Sequence, residues 1–123
     1  AGMSKYVTMH EMNLKKSKKM PLEEMDLAII DLGDPWEVLP QVRKMLKSSG
    51  SVVAICPTMN QLEKLSAAFV ENEFTDIECT EHILRHIEAR EGKTRHSYRG
   101  IGHTTYLAIA RKVHFNKKRI KKK

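Results

Sequence analysis

Between Ile29 and Leu39 the chain reads IIDLGDPWEVL. An apolar run ends on a carboxylate, Asp31, and three residues later Asp34-Pro35-Trp36 brings in the only tryptophan. A carboxylate at that point can accept a proton, orient an amine or offset a cation. It can also do no chemistry and bond nearby backbone amides, as short acidic side chains do in turns. Two further stretches could bind rather than react. Residues 85–102, RHIEAREGKTRHSYRGIG, are rich in Arg and His, and Arg111 to Lys123, RKVHFNKKRIKKK, hold eight Lys or Arg and no acid. Cys56 and Cys79 lack metal-type spacing, so no metal site is expected. They read as reduced, buried small hydrophobes of an intracellular protein.

The basic character sits at one end. Removing those eight cations from the formal +7 leaves the first 110 residues at −1. Residues 114–123 form a basic tail in which Lys117, Lys118 and Arg119 are candidates for phosphate contact, with salt-dependent affinity for nucleic acid. The alternative is a solubilising end. No apolar run approaches the roughly 20 residues of a membrane span, and no signal peptide is legible, so a cytoplasmic location is expected. Ala1-Gly2 before Met3 reads as an expression scar. The length suits one domain.

The elements that must position these residues can be read from periodicity. Tyr6 to Met12 alternates and predicts a short strand, and residues 14–24 a polar connection. MDLAII predicts a strand buried on both faces, as in parallel sheets. Two prolines then constrain the chain to a tight turn through DPWEV and a helix with Pro40 in its first turn. Val38, Leu39, Val42, Met45 and Leu46 give that helix its apolar face, and Gly50 suits its C-terminal cap. SVVAIC predicts a strand closed by Pro57. Thr58 with Gln61 forms a capping box for a helix that buries Leu62, Leu65 and Phe69. Residues 75–88, which start with the alternation TDIECTEHI, and residues 104–113 predict two strands joined by the Arg/His-rich loop. Alternating strands and helices imply an α/β layer, mostly parallel, with an antiparallel pair formed by the last two strands.

DLGDPWEVL, followed by a helix, a glycine, SVVAICPT and NQLEK, resembles the tRNA (adenine-N1)-methyltransferase family, and so does GHTTYLAIARK near the end. The resemblance covers roughly residues 6–113. It implies a Rossmann-like methyltransferase sheet, S-adenosylmethionine as methyl donor and a T-loop adenine of tRNA as acceptor. The family's catalytic Asp falls at Asp31. Asn13 stands where the family usually has an acid near the cofactor's adenine, and Asn13, Asp31 and Leu32 are expected on the cofactor side. Arg95 and Arg99 are candidates for RNA phosphate contact. The family's Arg-Pro before Gly-His-Thr is Arg95-His96 here, and His103 and Thr104 are expected to stabilise the loop.

The glycine-rich turn that such enzymes place after their first strand does not occur before Asp31. Aligned to the family, the sequence is expected to correspond to the sheet from its third strand onward. Residues 3–113 would form a truncated domain lacking the cofactor motif, inactive alone. The second hypothesis is a non-catalytic RNA-binding or assembly module derived from that family. Either way MDLAII would form an apolar edge. It is expected to be covered by the N-terminal strand, by another copy in a homo-oligomer or by a complementing chain.

Overall fold

Six apolar or small residues in a row but for Asp26, Met25–Ile30, form β1, the edge strand of the main sheet. A computed structural model describes residues 2–97 and 105–113. After β1 a single 3-10 turn, Pro35–Val38, leads directly into α1, Leu39–Met45, with Pro40 in the first turn where its missing N–H costs nothing. β2 (Leu46–Cys56) and α2 (Met59–Glu71) come next, then β3 (Phe74–His82), a small hairpin of β4 (Ile87–Glu88) and β5 (Arg95–His96), and β6 (Thr105–Lys112).

The four-stranded sheet has the order β1-β2-β6-β3. β1 lies parallel to β2, and β6 runs antiparallel to both β2 and β3. Three strands therefore share one direction and β6 opposes them, the α/β arrangement expected, with the last two long strands paired. Thr58 caps α2 as read, its Oγ1 accepting from the Gln61 N–H at 3.3 Å, while the return contact is made by the Thr58 hydroxyl donating to Gln61 Oε1 at 2.8 Å. α2 then buries Leu65, Ala68 and Phe69, and Phe69 meets Phe74 edge to face at 5.4 Å.

The core occupies one face. Val52, Ala54 and Cys56 of β2 and Ala108 and Ala110 of β6 pack with Leu39, Val42, Leu65 and Phe69 of the helices. Alternate residues point the other way. Ile29, Val53 and Ile109 pair in one row across the sheet, with Ile29 68% exposed and Leu27 45% exposed. The expectation that MDLAII is buried on both faces is thus corrected. Of that strand only Ile30 is buried, because α1 and α2 contribute to one face only.

Three more expectations are corrected. Tyr6 to Met12 is not a strand: Ser4–Tyr6 form one 3-10 turn and the chain continues without regular structure. Alternation alone does not hold a strand that has no ladder partner. Among the described residues β1 pairs only with β2, so the N-terminal segment does not extend the sheet. Gly50 does not cap α1, which ends at Met45 as Leu46 turns extended. Residues 47–50 instead bulge out of register between Met25–Leu46 and Leu27–Ser51, with Ser49 at φ +65°. A Cβ on Gly50 would lie 2.9 Å from the Lys47 carbonyl oxygen and 3.1 Å from that of Met25, so the position demands glycine for close approach. Cys79 is exposed, whereas Cys56 is buried, and burial pushes the Cys56 thiol up from its ordinary value.

Candidate active site

β1 delivers Asp31 to the carboxyl end of the sheet, the end at which open α/β sheets bind ligands. Asp31 is exposed and makes no hydrogen bond or ion pair with another described residue. The loop beyond it is held from three sides. Pro35 is buried, and the Glu37 N–H donates to the Asp34 carbonyl at 3.1 Å. Trp36 is half-buried with the Lys64 ammonium 4.2 Å from its ring centre. The Gln61 amide donates to the Gly33 carbonyl at 3.1 Å, so the capping-box residue of α2 also tethers the turn after Asp31.

Asp34 caps nothing with its side chain. It lies 3.6 Å from the Lys15 ammonium, which meets Glu37 at 2.6 Å, while the Gln41 amide donates to the Lys15 carbonyl at 3.3 Å. The hydrogen bond to Glu37 raises the Lys15 pKa above its ordinary value, partly opposed by desolvation and supported by the charges of Glu37 and Asp34. These contacts draw the N-terminal segment across the start of α1 and close one wall of a groove.

The groove consists of two adjoining depressions of about 570 Å³ and 770 Å³ that share Met12, Leu14, Leu32 and Val38. Asp31 stands on the wall of the first, with Ile29 and Met45 among its apolar lining. Asn13 and Glu11 line the second. Asn13, Asp31 and Leu32 thus border one continuous groove, although Asn13 is distant from the other two in sequence. The Asn13 carbonyl also accepts from the N–H groups of Lys16 and Ser17, at 3.2 and 3.1 Å, in a tight turn. Sequence reasoning does not reach Glu11, Met12 or Gln61 as site residues. The first two come in through an irregular segment, and the bond from Gln61 to Gly33 spans 28 residues, beyond any local pattern.

Arg95 lies on β5 and faces Glu88 of β4 at 3.5 Å, in the hairpin that leaves β3 at the same end of the sheet as Asp31. Arg99, His103, Thr104, Lys117, Lys118 and Arg119 fall outside the described residues. Among the described residues, no group of three or more His, Cys, Asp or Glu is placed to hold a metal ion, and no helix is long and apolar enough to cross a membrane.

The sheet order, the opposed β6 and the carboxylate beside an apolar groove define a Rossmann-like methyltransferase fold. The chain superposes on a SAM-dependent O-methyltransferase from Thermotoga maritima with a TM-score of 0.81 at 25% identity, covering 94% of this chain and 44% of that one. With the tRNA (m1A58) methyltransferase TrmI from Aquifex aeolicus the TM-score is 0.72 at 31% identity, covering 81% of this chain and 40% of that one. The chain belongs to the family described as tRNA methyltransferase complex GCD14 subunit, whose sequence model matches residues 1–122. It is 38% identical to the tRNA (adenine(57)-N(1)/adenine(58)-N(1))-methyltransferase TrmI of Methanocaldococcus jannaschii over 95 residues, which are 76% of this chain and 34% of the relative. The catalytic subunit TRM61 of a tRNA (adenine(58)-N(1))-methyltransferase from Candida albicans is 28% identical over 58% of this chain and 22% of its own. The chain therefore spans about a third or less of the curated relatives it matches.

Proposed function

We propose that this chain carries the acceptor side of an enzyme that moves a methyl group from S-adenosylmethionine to N1 of a T-loop adenine in tRNA, in the cytoplasm. The observation that carries the reading is Asp31, at the carboxyl end of β1, on the wall of a groove and unpaired with any described residue. The family match and the named activity of the Methanocaldococcus relative support the choice of acceptor.

S-adenosylmethionine, when bound, supplies an electrophilic methyl group. Asp31 accepts a hydrogen bond from the adenine's exocyclic amine and so turns the N1 lone pair toward that methyl. Methylated N1 leaves a cationic ring, and the Asp31 carboxylate offsets the charge or takes the amine's proton. The Gln61 bond to Gly33 and the packed Pro35-Trp36 turn keep the carboxylate's loop in place. RNA contacts are assigned to Arg95, Arg99, Lys117, Lys118 and Arg119.

The groove fits one side of the cofactor. Asp31 suits a sulfonium cation, Asn13 offers an amide, and Leu32 and Met12 supply apolar wall. A backbone cradle is not built around Gly33, where a Cβ would meet nothing within 4 Å. With no glycine-rich turn before Asp31, the chain alone is proposed to bind S-adenosylmethionine weakly and to transfer no methyl group. Radiolabelled methyl transfer to an unmodified tRNA transcript tests this, with the chain alone and mixed with the cofactor-binding part of the Methanocaldococcus relative. Transfer is expected only in the mixture, and Asp31→Ala should reduce it by about 100-fold or more. Undiminished transfer by Asp31→Ala would remove Asp31 from the chemistry.

A second reading, an RNA-binding or assembly module, is favoured by the apolar edge. Among the described residues β1 has one strand neighbour, and Leu27 and Ile29 on it are exposed. Under either reading the edge is covered by another copy or by a complementing chain. Sedimentation showing only monomers at high concentration would leave the complementing chain as its occupant.

A further inference from the structure

The segment between β3 and β6 carries residues that the groove does not use. His82, the last residue of β3, pairs with Thr105, the first of β6. Tyr106 pairs with Cys56 at the end of β2, and Ala54 of β2 pairs with Ile30, the residue before Asp31. The hairpin therefore leaves the sheet at the Asp31 end, from a strand about 14 Å across the sheet, three interstrand spacings away. Its frame is small. Ile87 pairs with His96 and Glu88 with Arg95, the Ser97 N–H donates to the His86 carbonyl at 3.0 Å, and Gly92 turns the chain at φ +71°.

An isolated two-stranded hairpin is marginal in water, and this one exposes its large apolar side chains. Ile83, Leu84 and Ile87 are 63%, 68% and 60% exposed. The same segment exposes Arg85, Arg90, Lys93 and Arg95 against two acids, Glu88 and Glu91. Arg90, Lys93 and Thr94 line a shallow depression of about 440 Å³ together with the Glu88–Arg95 pair. Unpaired RNA offers what such a surface can bind: base faces for the apolar side chains and phosphates for the cations. A protein partner needs the apolar side chains alone. The surplus of cations, and the location at the Asp31 end, favour RNA.

We propose that residues 83–97 clasp the unpaired loop of an RNA presented to Asp31, with Ile83, Leu84 and Ile87 against bases and Arg90 and Lys93 at phosphates. The assignment rests on the RNA-directed reading above. It is tested by binding without a methyl donor, so that failure here leaves the role of Asp31 untouched.

The intact chain is titrated into a fluorescent stem-loop RNA and into a fully paired duplex of equal length. The stem-loop should bind more tightly. Replacing Arg90→Ala together with Lys93→Ala should weaken both complexes by about ten-fold at low salt and lower the salt slope by about two. Leu84→Ser with Ile87→Ser should weaken the stem-loop by about five-fold and leave the duplex nearly unchanged. Unaltered thermal unfolding of both variants shows that the sheet is intact. Stem-loop affinity within two-fold of the unsubstituted chain for either pair would overturn the proposal. So would equal affinity for stem-loop and duplex. Unchanged RNA affinity with a lower sedimentation mass for the Leu84/Ile87 pair would assign the hairpin to a protein contact instead.

Discussion

On one face of the sheet Val52, Ala54, Cys56, Ala108 and Ala110 meet Leu39, Val42, Leu65 and Phe69 and are removed from water. On the other, Ile29, Val53 and Ile109 form a row that no helix of the core cluster covers, continued by Ile55 opposite Leu107. The covered face uses small residues at its centre, which lets the helices approach closely. The second face uses large branched ones, which suit contact with a further layer more than contact with water. An apolar strand thus reports that both of its faces are built for contact. It does not report that both contacts are made within these residues.

The difference can be broken most directly on the covered side. Phe69→Ala removes a buried ring that also packs edge to face on Phe74, and should cost about 3–5 kcal/mol in urea denaturation. A smaller loss would mean that the helix layer is loosely seated. Gly50→Ala comes next. Its new methyl would press on the Lys47 and Met25 carbonyls, which are backbone and cannot swing away, at a cost of about 1–3 kcal/mol.

The open face should respond differently. Ile29→Thr keeps a β-branched side chain at a position 68% exposed, so monomer stability should change by no more than about 0.5 kcal/mol. Self-association measured by sedimentation should fall if another copy occupies that face. A loss of stability comparable to that of Phe69→Ala would show that the face is covered after all.

These contrasts also explain how much can be read from the residues in order. The turn through Asp34-Pro35-Trp36, Pro40 in the first turn of α1 and the Thr58–Gln61 capping box are local, and each rests on backbone chemistry within four residues. The strands at 25–30 and 51–56 are legible for the same reason, whereas the pairing of β3 with β6 joins residues more than 20 apart and is legible because no helix separates the two strands. Which face of the sheet is covered is a non-local fact, decided by where whole helices lie, and MDLAII reads the same in either case. Tyr6 to Met12 fails on similar grounds, since alternation supplies a pattern but no partner strand. Gly50 is legible as a required glycine, but for a different reason from the one its neighbours suggest. The Met25 carbonyl that crowds it lies across the sheet, while the apparent cap rests on adjacent residues in sequence. At the site, Asp31 stands out by itself. Its grouping with Asn13 and Leu32 comes from the resemblance, and the Gln61 tether to Gly33 emerges only in three dimensions.

The smallest effect marks where the covered face ends. Lys112 comes after Ala108 and Ala110 at alternate positions on β6, and its ammonium donates to the Leu46 carbonyl. Burial lowers its pKa below the ordinary lysine value, and the nearby Arg43 guanidinium lowers it further, with Glu24 opposing. The folded value then lies below the unfolded one of about 10.5. Between the two, the unfolded chain binds more protons, so unfolding free energy rises with pH through that window and is constant below it. Urea denaturation at steps from pH 8 to pH 10.5 should show this rise, and Lys112→Met should remove it while the remaining titrations persist. Parallel pH profiles for the two proteins would mean that water reaches the Lys112 ammonium, and that the dry side of the sheet stops at Ala110.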